Sequence, residues 1–113
     1  MWPSSAGPNA TGVERMKIDW KPYTLFTYPG GWFHQHFNTG TQPARLFQFQ
    51  VGKSFQYVGI HKEFSRKAGI ISTKEGGFNI LYSDEDPSIR RQFKEELKKT
   101  GGKYNMEHIF PAG

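Results

Sequence analysis

Pro29–Asn38 reads PGGWFHQHFN, and this stretch decides the fold. Proline holds one backbone dihedral fixed and glycine reaches conformations that other residues avoid, so Pro29-Gly30-Gly31 predicts a turn. A strand is then expected from Trp32 onward. Alternation along an extended chain would put Trp32, His34, His36 and Asn38 on one face and Phe33, Gln35 and Phe37 on the other. Two imidazoles would point the same way.

Working outward, the flanking segments carry the same period. Met16, Ile18 and Trp20 alternate with Arg15, Lys17 and Asp19, and after Lys21-Pro22 the run Tyr23–Tyr28 (YTLFTY) is aromatic and β-branched. Both predict short strands. Beyond a turn at Thr39–Pro43, Ala44–Val51 (ARLFQFQV) alternates again, with Arg45, Phe47 and Phe49 on one side, and predicts a hairpin with Trp32–Asn38. Phe55–Ile60, Ile70-Ile71 and Phe78–Tyr82 read as further strand pieces, separated by the basic stretch His61–Gly69. Met1–Gly12, rich in proline, glycine and small polar residues, is expected to be an irregular or mobile arm.

One helix is expected. Asp86 can cap it, Pro87 suits its first position, and Ile89, Phe93 and Leu97 recur every four residues. Lys98 and Lys99 complement the dipole at its end, and Gly101-Gly102 stops it. Its narrow apolar stripe is a packing face. The expected organisation is an arm (1–12), a β region (13–82) and a C-terminal helix with tail (83–113).

Composition agrees with a mainly β protein. Phe 10, Tyr 5 and Trp 3 favour strands, and Gly 13 with Pro 7 implies many turns, in a chain of 113 residues that can build one small core. Cys 0 removes disulfides and thiolate metal sites, so a transition metal would rest on His, Asp, Glu or water. No apolar run has the length of a membrane span and no signal-peptide pattern opens the chain, which makes the cytoplasm the expected location. The net charge of +5 and a pI near 9.6 raise the question of nucleic acid. Lysine and arginine are spread along the chain rather than gathered in a stripe, which argues against it.

The chemistry concentrates at His34 and His36. An H-x-H pair on a strand can hold one metal ion, while the bland alternative is a pair of hydrogen-bonded histidines in a polar interior. His61 and His108 are remote in sequence and read as solvated. Arg45 is a candidate partner for an anionic substrate, against the simpler reading of a rim arginine. The acidic run Asp84-Glu85-Asp86 has a sufficient structural reason in its place before the helix. No nucleophile elbow and no phosphate-cradling glycine loop is present.

Pro29, Gly31, His34 and Asn38 together fit the pattern P-x-G-x2-H-x3-N, and on these residues the stretch resembles the second conserved motif of the cupin family. The likeness extends over the flanking segments from Met16 to Ile60. The motif's earlier glycine corresponds to Tyr23. The resemblance implies a jelly-roll β-barrel with His34 as an inward-facing ligand of a divalent metal (iron, manganese, nickel or zinc), His36 as either a further ligand or a hydrogen-bond donor behind the ligands, and Pro29, Gly31 and Asn38 as the supporting frame. It also implies a first motif, two histidines and a glutamate on an earlier hairpin, for which the residues before His34 leave no room.

Two readings follow: a partial cupin sheet from the second-motif part of a longer dioxygenase or isomerase, or a shortened cupin whose exposed sheet edges pair with another copy. Beside them stands a non-catalytic cupin-like module for small-ligand binding or assembly. The residues do not decide between enzyme and binding module.

Overall fold

Asp86 opens the longest element. The computed structural model describes residues 1–49 and 70–110; within them the helix α1 spans Pro87–Thr100. The Asp86 carboxylate accepts the Ser88 N–H at 2.8 Å, satisfying one of the amides that a helix start leaves without a partner. At the other end Gly101 takes the left-handed conformation, φ 76°, and its N–H bonds the Leu97 carbonyl. Gly102 lies so close to the helix that a Cβ there would come 2.6 Å from Leu97 Cδ2. The sequence expectation for this helix and its caps holds.

The apolar stripe of α1 packs as a stripe should. Leu97 is 3 % exposed. Phe93 meets Phe37 with ring centroids 4.8 Å apart and Tyr104 at 5.7 Å. Lys17 reaches Glu96 at 3.2 Å and Lys94 reaches Glu107 at 2.8 Å, surface pairs that orient the elements more than they stabilise them.

Among the described residues the strands are two short pieces. β1 (Trp2–Pro3) pairs antiparallel with β2 (Trp32–Phe33), in the register Trp2 to Phe33 and Pro3 to Trp32. The turn into β2 forms where proline and glycine predicted it: Trp32 N–H bonds Pro29 O at 3.3 Å, and Gly31 has φ 77°, a region costly for any residue with a Cβ. Ser4 N–H bonds Gly31 O at 3.0 Å, extending the ribbon. Elsewhere, short 3₁₀ turns occupy Ser4–Ala6, Thr73–Glu75 and Glu107–Ile109, and Ser72 and Asn79 form an isolated bridge.

The N-terminal arm is built into this structure. Trp2 is 6 % exposed, its indole N–H bonds Gly7 O at 2.8 Å, and its ring lies 5.7 Å from that of Phe33. Burying so large a side chain contributes about 2–3 kcal/mol. The Met1 amine donates to Met16 O at 2.8 Å and Met16 N–H returns a bond to Met1 O at 2.9 Å. Arg15 then ties this unit to the helix, pairing with Asp86 at 2.7 Å and Ser88 Oγ at 2.6 Å while its guanidinium covers Trp2 at 5.3 Å.

The mainly β jelly-roll expectation is corrected. Met16–Trp20, Tyr23–Tyr28 and the described part of Ala44–Val51 form no strands, and Trp32–Asn38 is a strand only at its first two residues. Among the described residues the expected hairpin between Trp32–Asn38 and Ala44–Val51 is absent, so no cupin sheet is present. Phe55–Ile60 and His61–Gly69 lie outside the described residues. The physical reason is visible in exposure: Leu25 is 88 % exposed and Phe47 81 %. Alternation assigns residues to faces, but a sheet also needs a partner strand and a second apolar layer to cover the face. Neither forms here.

Pro22 and Tyr23 add a local break. Thr24 N–H bonds Lys21 O at 3.0 Å, and Tyr23 has φ 68°, the sign that the third residue of a type II turn requires. Glycine would take that conformation without strain. Tyr23 tolerates it with its side chain in solvent.

Candidate functional site

His34 and His36 emerge together from the end of β2. Their ring centroids are 5.7 Å apart at 69°. Each is braced by an aromatic neighbour: Tyr28 stacks on His34 at 3.7 Å and 23°, and Phe26 packs against His36 at 6.0 Å. The Tyr28 hydroxyl accepts Gln48 Nε2–H at 3.0 Å, which ties the 44–49 segment to this wall. His34 Nδ1 lies 3.3 Å from Trp32 O. In the tautomer that donates this bond, the Nε2 lone pair is free. Burial and the neighbouring His34 together lower the pKa of His36, so its imidazole is neutral at pH 7.

Both histidines line a cavity of about 700 Å³. Its walls come from the 15–22 segment, the 34–45 segment and Ile89, Gln92, Phe93 and Glu96 of α1, and include Trp20, Phe26, Tyr28 and Phe37. Arg45 and Asn38 line it too. Lys17, another lining residue, is engaged by Asp19 and Glu96, whereas no carboxylate among the described residues pairs with Arg45. The volume and the mostly apolar lining with a few polar groups suit a small organic ligand.

The supporting residues lie in turns. Pro29 and Gly31 form the turn. Asn38 closes the next one, its side-chain N–H donating to Gln42 O at 2.8 Å and its Oδ1 accepting Gly40 N–H at 3.0 Å. It holds the chain rather than a histidine. His108 sits on the exposed Glu107–Ile109 turn and lines neither cavity described in this section, and His61 lies outside the described residues.

A metal can be tested against this donor set. Two imidazole nitrogens about 2.0–2.1 Å from a tetrahedral ion place their ring centroids about 5 Å apart, near the observed spacing. Among the described residues no three His, Asp or Glu side chains converge.

Sequence reasoning passed over a second cavity on the other side of the same segment. It measures about 890 Å³ and is lined by Trp32, Phe33, Tyr82 and Glu85 among others, while Trp2, Tyr28, His34, Gln35 and Ile89 line both cavities. Glu85 is 9 % exposed. Burial raises its pKa, against the opposing effects of a Gln35 hydrogen bond and of Arg90 and Arg15. A carboxyl between an acidic run and a helix reads as a helix-start charge, and no local pattern separates it from Asp86. Comparison with family models, with curated protein sequences and with solved structures returned no match.

Proposed function

We propose that this chain is a small-molecule-binding module whose 700 Å³ cavity takes an organic anion with a flat apolar body. The observation that carries this reading is the presence of His34, His36 and Arg45 together on the lining of one aromatic-walled cavity. Aromatic faces supply area for the ligand body, the guanidinium supplies a two-pronged donor for a carboxylate, and a neutral imidazole supplies a directed N–H. Dioxygenase or isomerase chemistry of the cupin type is not carried into it, because the barrel interior that would enclose such a site is not formed by the described residues.

Calorimetric titration with 2-naphthoate and with its uncharged analogue 2-naphthalenemethanol tests the reading. Naphthoate should bind more tightly, and Arg45→Ala and His36→Ala should each weaken it by about tenfold, the scale of one charge-assisted hydrogen bond. Equal affinity for acid and alcohol, or an affinity indifferent to both substitutions, overturns it.

The ring spacing of His34 and His36 favours a second reading, a divalent ion chelated by the pair with the remaining positions left to water or a ligand carboxylate. Nickel or zinc titration should then show one ion per chain, and His34→Ala or His36→Ala should each abolish it.

A further inference from the structure

The second cavity differs from the first in charge. Among its described lining residues there is no lysine and no arginine, and Glu85 is the single carboxylate. Trp2, Tyr28, Trp32, Phe33, Phe78 and Tyr82 are its aromatic lining residues, and the rest are aliphatic or uncharged polar residues with His34.

The two arginines near Glu85 are held from outside the cavity. Arg15 is engaged with Asp86 and Ser88, and Arg90 lies over the Phe110 ring at 3.7 Å. Burial outweighs their influence on the carboxyl, so Glu85 is a buried acid whose charge the protein meets only in part. A buried charge of this kind gains most from a partner of opposite sign placed in the same low-dielectric space. Aromatic quadrupoles favour the same sign of partner.

We propose that this cavity binds a small organic cation, an alkylated ammonium of about the size of choline, with the charge met by the Glu85 carboxylate and by the rings of Trp32 and Tyr82. An inorganic cation would forgo the aromatic walls, and a primary amine on a long chain would leave them unfilled. The charge-bearing residue of this site, Glu85, does not line the first cavity, although five lining residues are common to both.

The test compares choline with its uncharged isostere 3,3-dimethyl-1-butanol, by titration of the whole chain followed through tryptophan fluorescence. Choline should bind at least about tenfold more tightly, the scale of one desolvated cation–π contact joined to a carboxylate. Glu85→Gln, which keeps the side chain's shape, should remove that preference while circular dichroism stays unchanged. On the unmodified chain, the trimethylammonium protons of bound choline should move upfield under the ring currents. Equal binding of the two compounds, a preference that survives Glu85→Gln, or methyl protons that do not shift on binding overturns the proposal. Loss of 2-naphthoate binding with choline binding intact would count against the first cavity's reading alone.

Discussion

Tyr28 and His34 lie nearly parallel, ring centroids 3.7 Å apart at 23°, so a histidine read from sequence as a barrel ligand is held by a stacking partner. Its ring is fixed by that partner and by the 3.3 Å approach of Nδ1 to Trp32 O. The stack places one residue of the Tyr23–Tyr28 segment against the segment that follows β2. It does so without a strand ladder.

Removing the stack should cost about 0.5–1.5 kcal/mol beyond lost area. Tyr28→Ala is expected to lower the urea midpoint more than Tyr28→Phe, which keeps the ring and loses only the bond from Gln48. Equal losses would assign the effect to the hydroxyl.

Acid should weaken the fold through His36. Its pKa in the folded chain is lowered from 6.5 by burial and by His34, so below that value the unfolded chain binds the proton more readily and stability falls with pH. The contribution is fully present above 6.5. Urea midpoints between pH 8 and pH 5 should decline more steeply for the natural chain than for His36→Gln.

Asp86 carries two contacts, the Ser88 N–H and the Arg15 guanidinium. These, with the backbone bond first, hold its carboxyl well below the ordinary value of 3.8. The associated stability is present above that value and is lost as pH falls below it. Asp86→Ala is expected to cost about 1–2 kcal/mol, and Asp86→Asn, which can still cap, should cost less. Thermal melts at pH 7 compare them.

Glu85 has the opposite sign. Burial raises its pKa above 4.5, so the ionised acid burdens the folded state at neutral pH and ceases to do so below the unfolded value. Glu85→Gln should raise Tm at pH 7, with the gain vanishing by about pH 4. A buried group that costs stability is what a binding site retains.

The helix was legible because its signals are local. The Asp86 cap, Pro87, the spacing of Ile89, Phe93 and Leu97, and Gly101 all lie within a few turns of one another, and each acts on the backbone beside it. The turn at Pro29–Gly31 was legible for the same reason. The barrel was misread because Met16–Trp20 and Ala44–Val51 have a period but no partner that the sequence can name. The cavity lining at His34, His36 and Arg45 was partly legible, since the histidines share a segment. Glu85 was not, because the residues that share its cavity, Trp2, Trp32 and Gln35 among them, lie far away along the chain.

The Arg15 contact joins positions 71 residues apart, and its acceptor is the same carboxylate that starts α1. Helix initiation and docking of the arm thus share one carboxylate. A lone α1 would keep its cap but lose the guanidinium that fixes the capping oxygen, and an undocked arm would uncover Trp2. Amide exchange at the first turn of α1 and at Met16 should therefore proceed at one common rate, since the two ends of the sequence open as a single cooperative unit.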